Sequence, residues 1–206
     1  MKKLIFLSIA LVSVIASDLS AQTQAATASS NPAKTETGTK STKQATFAER
    51  YFEFKDSYPA VVTANANCPG VYAASSQPQD KFMERFNQIK DAYPKLKDVH
   101  AHFAGSEYGL PVFIRRYYEI HDTYSDMSKV YGDYAASKKP LDEFVKRYHQ
   151  VKASSPELTE VYGQYAAAET DLPQFLARYH EIKAGHTGIK NCYGEYAGSS
   201  IKLASK

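Results

Sequence analysis

A chain of 206 residues is long enough to bury one sizeable core. Its 25 basic and 22 acidic side chains almost cancel, and the excess sits at the start. Residues 1–46 hold five Lys against Asp18 and Glu36, leaving 20 charges of each sign in residues 47–206. A formally neutral domain offers no broad electrostatic footprint, so nucleic acid and anionic lipid are set aside as partners.

The first element is a targeting segment. Lys2 and Lys3 precede the apolar run "LIFLSIALVSVIA" (4–16), and small residues follow in "SDLSAQTQA". That order is the pattern of a secretory signal peptide, assigned to residues 1–21, with cleavage after Ala16 or Ala25 as alternatives. The run is short for a membrane span, which needs about 18 apolar residues, and no later run reaches that length. An uncleaved N-terminal anchor is the competing reading. The expectation is a secreted protein, extracellular or periplasmic, with no membrane insertion after cleavage. Residues 22–46 contain no aromatic and no large aliphatic side chain. Such a Ser/Thr/Ala-rich stretch cannot bury enough apolar surface to offset its ordering entropy and is read as a disordered linker.

From Phe47 onward the chain repeats itself. Phe82, Phe113, Phe144 and Phe175 are spaced 31 residues apart, and Phe47 lies 35 before Phe82, so the first copy carries an insertion. Three residues after each Phe stands Arg50, Arg85, Arg116, Arg147 or Arg178. Four residues after it stands an aromatic (Tyr51, Phe86, Tyr117, Tyr148, Tyr179), and seven after it an apolar side chain (Phe54, Ile89, Ile120, Val151, Ile182). Zero, four and seven share one face of an α-helix. A break follows, marked by Pro59, Pro94, Ser125, Pro156 or Thr187. Ser155 then reads as the N-cap of a second helix with Pro156 in its first position. That helix shows apolar spacings of three, four and seven, as in Leu158, Val161, Tyr162 and Tyr165. It also carries a small residue in every copy (Gly70, Ala101, Gly132, Gly163, Gly194), with Ala three residues later. A helical Gly costs about 1 kcal/mol relative to Ala, so its recurrence suggests close approach of another helix. Pro78, Pro111, Pro140 and Pro173 mark the passages between copies.

One such unit cannot bury its apolar stripe alone, whereas stacked neighbours bury it together. The expected fold class is all-α: an α-solenoid of about five tandem helix-turn-helix repeats. They start near residues 47, 82, 113, 144 and 175, fill residues 47–198, and leave 199–206 as a C-terminal tail. In kind this resembles the tetratricopeptide class of solenoids. The motif differs, because the period is 31 rather than about 34 and the recurring "YG-x-YA" is not theirs. Pro69 falls inside the first copy's second helix, which is expected to be bent or broken.

Cys68 and Cys192 occupy equivalent positions in copies one and five, which makes them a candidate disulfide in an exported protein. In an open stack with layers about 10 Å apart, the end copies would lie about 40 Å from each other. A disulfide needs Cα atoms within about 7 Å. Either the array curls closed, or the thiols are buried and unpaired or bridge two chains.

Two rows of side chains could carry function. The recurrent Arg lies at the margin of the core stripe, three residues before Glu53, Gln88, Glu119, Gln150 or Glu181. It reads as structural: a guanidinium laid across a neighbouring ring and tied to that acid or amide. The row five residues after each Phe is Phe52, Asn87, Tyr118, His149 and His180. It points away from the core, and by analogy with paired-helix solenoids it lines a concave surface. Aromatic, amide and imidazole groups suit a peptide, a protein or a glycan. There is no Gly-rich phosphate loop, HExxH or nucleophile elbow, so no enzyme, cofactor or metal site is expected. The functional expectation is a non-catalytic binding scaffold, with a structural or self-assembling surface spacer as the alternative.

Overall fold

The computed structural model describes residues 44–186, 188–189 and 191–204. The signal peptide and residues 22–43 of the linker lie outside them. Every regular element among the described residues is helical. Helices α1 (Phe47–Ser57), α2 (Pro59–Ala64) and α3 (Cys68–Ala74) come first. Then long and short helices alternate: α4 (Gln79–Ala92), α5 (His100–Gly105), α6 (Leu110–Thr123), α7 (Tyr131–Ala136), α8 (Leu141–Ser154), α9 (Tyr162–Ala167), α10 (Leu172–Gly185) and α11 (Tyr193–Gly198).

The long helices follow from their apolar spacing. In α8, Phe144 and Val151 are fully buried and Tyr148 is half-buried between them. Pro stops several of these helices, because the residue before a Pro is pushed out of the α region. Ser155, ahead of Pro156, closes α8 with φ −145° and ψ 65°. Tyr93, ahead of Pro94, closes α4 in the same way. Ser155 is therefore a C-cap and not the N-cap of the following helix. That helix starts only at Tyr162, after a 3₁₀ turn at Thr159–Val161. Leu158 and Val161 are still buried, since residues three apart align in a 3₁₀ turn as well as in an α-helix. Pro69 does not break α3 either. It sits in the first turn, where its missing N–H costs nothing, and α2 takes up the extra residues of the first segment. Thr46, assigned to the linker from sequence, caps α1 in a reciprocal capping box with Glu49.

Each long helix packs on the short helix that follows it: α1 on α3, α4 on α5, α6 on α7, α8 on α9 and α10 on α11. The short helices also pack side by side, α3 on α5, α5 on α7, α7 on α9 and α9 on α11. The series then returns, because α11 packs on α3. Five short helices thus form a closed inner ring, with the long helices around it. The backbone completes the closure. Phe47 and Ala48 donate their N–H groups to the carbonyls of Lys202 and Leu203 at 2.8 and 3.1 Å. Ile201 and Leu203 are buried in one cluster with Phe47, Tyr51, Ile182 and Cys192. Ser199, Ile201 and Leu203 therefore belong to the core, alternating with the exposed Ser200, Lys202 and Ala204, whereas the sequence marked this stretch only as a tail.

Ring closure removes the distance that argued against a Cys68–Cys192 bridge. The α11 neighbour lies so close to α3 that a β-carbon at Gly70 would collide with Cys192. Both cysteines are nevertheless free and buried. Burial pushes the Cys68 thiol up to about 12 and also raises Cys192, where the charge of Glu195 adds to the effect. Neither carries the thiolate character that reactivity needs.

The glycines mark where adjacent short helices meet. A β-carbon at Gly132 would lie 2.7 Å from His102 Nδ1, and one at Gly163 would overlap the Asp133 carboxylate. Gly163→Ala is expected to cost about 1–3 kcal/mol through overpacking. Gly185→Ala, at a helix end with open space around it, should be neutral or stabilising. Urea unfolding followed by circular dichroism checks the pair; equal midpoints would refute the close approach.

Candidate functional site

The recurrent Arg residues sit where each long helix meets its short partner. The guanidinium of Arg50, Arg85, Arg116, Arg147 or Arg178 lies 4.1–4.3 Å from the centroid of Tyr72, Phe103, Tyr134, Tyr165 or Tyr196. Its Nη2 donates to the last carbonyls of the short helix and to the passage beyond. For Arg147 these are Tyr165 O at 2.9 Å and Thr170 O at 2.6 Å. Arg178 holds Tyr196 O and Ile201 O at 3.0 and 2.8 Å. The acid or amide three residues on is not its partner, as the sequence suggested. Glu119, Gln150 and Glu181 instead accept from the buried hydroxyls of Tyr134, Tyr165 and Tyr196 at 2.6–2.8 Å. Helix ends leave unpaired carbonyls, and the guanidinium N–H groups donate charge-assisted hydrogen bonds to them. Arg147→Lys keeps the charge but loses the planar stack and the paired acceptors. It is expected to cost about 1–3 kcal/mol in urea unfolding.

The outward row is one residue per long helix. Phe52, Asn87, Tyr118, His149 and His180 are all exposed, with Phe52 at 39% and Tyr118 at 43%. They do not line a concave surface. The short helices take the inside of the ring, so this row lies on its outer side. Four of its members rest on a preceding Tyr, Phe52 edge-on against Tyr51 at 5.2 Å among them. Tyr118, His149 and His180 each pack edge-on against the preceding Tyr, with centroids 5.2–5.4 Å apart. Those tyrosines in turn meet Tyr131, Tyr162 and Tyr193 at 5.6–5.9 Å. Tyr118, His149 and His180 are thus each backed by two further rings. Tyr118 also meets His121, which bridges to Asp122 at 2.8 Å.

A second set of polar groups was not singled out from sequence. The residue between Gly and Tyr in "YG-x-YA" faces the inside of the ring. There Val71, His102, Asp133, Gln164 and Glu195 line a cavity of about 240 Å³ together with small residues from all five short helices. His102 Nδ1 donates to the Asp98 carbonyl at 3.2 Å, and Nε2 faces Asp133 Oδ1 at 3.5 Å. Burial opposes the imidazolium, but the bond to Asp133 and the charges of Asp133 and Glu195 outweigh it and hold His102 above the ordinary histidine value. For Glu195, burial is the main cause that pushes the carboxyl up to about 7. Asp133 adds to that push; the Glu195 backbone amide and His102 oppose it. Among the described residues, no group of three His, Cys, Asp or Glu side chains is arranged to hold a metal ion. No helix there is long and apolar enough to cross a membrane.

Both groups bind their proton more tightly in the folded state than in the unfolded one. For Glu195 that stabilisation is complete below its ordinary value of 4.5 and is lost as pH rises to about 7. For His102 it is complete below 6.5 and is lost as pH rises through the elevated value. The melting temperature is therefore expected to fall between about pH 5 and about pH 8. Glu195→Gln should flatten the profile and raise Tm at the alkaline end by about 2–8 °C. Differential scanning calorimetry decides, and a profile unchanged by the substitution would remove Glu195 as its cause.

No protein-family model matches the chain, no curated protein matches it, and no solved structure matches it.

Proposed function

We propose that this is a secreted or periplasmic, non-catalytic binding scaffold. In this reading five helical hairpins with a period of 31 residues form a solenoid closed on itself. The closed array serves as a rigid frame for the outward row of Phe52, Asn87, Tyr118, His149 and His180. The exposure of that row carries the proposal. Exposed rings stand at one register on four of the five long helices, Phe52, Tyr118, His149 and His180, with Asn87 on the remaining one. Their seating on buried or half-buried tyrosines lowers the entropy lost on binding. A flat ring with a polar tip or an imidazole suits the apolar face and hydroxyls of a glycan, or a protein or peptide surface. The row lies on the outer side of the ring, so it fits a partner laid against the scaffold and not one threaded through a groove. The start of the chain, with its signal-peptide pattern, supports export.

The test compares the protein with its Tyr118/His149/His180→Ala variant after circular dichroism shows equal helicity. Both are immobilised and exposed to a glycan panel and to extracellular extract. Retention of a partner by the unmodified protein alone is the expected result. Equal retention, or none, overturns the site. Concentration-dependent self-association that survives the substitutions would favour the structural spacer instead.

A further inference from the structure

The inner ring is built from five short helices whose positions repeat chemically, with two exceptions, one of them at the helix start, where Pro69 and His100 stand in place of Tyr131, Tyr162 and Tyr193. The ring-facing aromatic is Tyr or Phe in every copy, the buried small residue is always Ala, and the glycine site is always Gly or Ala. At the cavity position the copies diverge into Val71, His102, Asp133, Gln164 and Glu195. A ring needed only for closure has no use for this. Polar groups brought in from water cost about 1–3 kcal/mol each unless paired, and a small apolar residue would fill the axis at no such cost. A symmetric frame with an unsymmetric polar lining is the arrangement of a recognition site.

The lining also has a bias. His102 is committed to Asp98 O and Asp133. The serine hydroxyls at the cavity mouth, on Ser75, Ser106, Ser137 and Ser199, each donate to the carbonyl three residues before them at 2.8–2.9 Å. Their protons are spent, and one lone pair of each already accepts from Gln77 N, Arg85, Arg116 or Ile201 N, so each keeps a single lone pair for the cavity. The Asp133 and Glu195 carboxylates and the Gln164 carbonyl add further acceptors. The charged groups facing one another here are His102 on α5, Asp133 on α7 and Glu195 on α11; α3 and α9 contribute the neutral Val71 and Gln164. Once Glu195 ionises, the set carries net negative charge. An anion would face two carboxylates, and a neutral guest would leave Glu195 uncompensated. A guest with several donors and one positive charge meets both needs. The space is smaller than the 300–1,000 Å³ typical of drug-sized sites, and Val71, Ala74, Ala136 and Ala167 give it apolar walls.

We propose that the axial cavity binds a small organic monocation, a primary ammonium compound with a short apolar tail. The ammonium group donates to Glu195, Asp133 and the Gln164 carbonyl. Uptake below the Glu195 titration releases the Glu195 carboxyl proton to solvent, so the step is an exchange of one proton for one cation. Loss of the His102 proton at higher pH acts in the same direction. This site is separate from the outward row, and its failure would leave that row untouched.

Isothermal titration of the purified protein with n-butylammonium, n-butanol and butyrate tests the assignment. The expected result is uptake of butylammonium alone, about tenfold tighter at about pH 8 than at about pH 6. Repeating it in phosphate and in HEPES should report proton release at the lower pH. Glu195→Gln should abolish the pH dependence and most of the affinity. Ala167→Leu, which fills the cavity without touching a charge, should block uptake at both pH values while the fold persists by circular dichroism. Binding of butanol or butyrate as tight as that of butylammonium overturns the proposal. So does butylammonium affinity indifferent to pH and to Glu195→Gln, or no uptake of butylammonium at all.

Discussion

One guanidinium per hairpin ties the molecule together. Arg147 leaves α8, lies over Tyr165 of α9, and ends on the carbonyls of Tyr165 and Thr170. A single side chain thereby joins a long helix, the end of the short helix it packs on, and the passage into the next long helix. The short helices have only six residues in most cases, too few to stand alone in water. Their orphan carbonyls need partners, and the stacked Arg supplies them. Lysine would bring the charge without the plane, so the recurrence of Arg at one register follows from geometry.

Given those clamps, the remaining constraint is how closely the short helices approach. Gly at the contact lets the polar side chain of one helix lie directly against the backbone of the next, as His102 does at Gly132. That is how the inside of the ring accommodates imidazole, carboxylate and amide groups while the aromatic layer behind them stays sealed. The outer layer has the opposite economy. Its exposed rings stand edge-on against tyrosines that are half-buried at Tyr117 and Tyr148 and buried at Tyr179.

The all-helical character and the core were legible because one pattern was written several times. Phe47, Phe82, Phe113, Phe144 and Phe175 are all fully buried, as the spacing required. The start of each short helix was not, because Leu158, Val161, Tyr162 and Tyr165 fit one α-helix or a 3₁₀ turn followed by a shorter one equally well. The outward row is exposed, as its angle from the core stripe required, but its side of the ring was assigned by analogy and came out reversed. The axial residues were overlooked for an instructive reason. Repetition draws the eye to positions that agree, and His102, Asp133, Gln164 and Glu195 stand where the copies disagree. Closure was hidden as well, since Ile201 and Leu203 lie past the last copy of the pattern and carry no periodic signal of their own.

A row of helices that ends where it began has a fixed number of members. An open row can gain or lose a unit at either end and keep every remaining contact. Here α11 packs on α3, and the Lys202–Leu203 segment is hydrogen-bonded to the start of α1. Duplication of one 31-residue segment would force every neighbouring pair in the circle to a new angle, and deletion would leave an arc whose ends cannot meet. A change in the number of helices is therefore costlier here than in an open row. Single positions within that set number of copies remain free to differ, and on the inner face of the circle they run from Val71 through His102, Asp133 and Gln164 to Glu195.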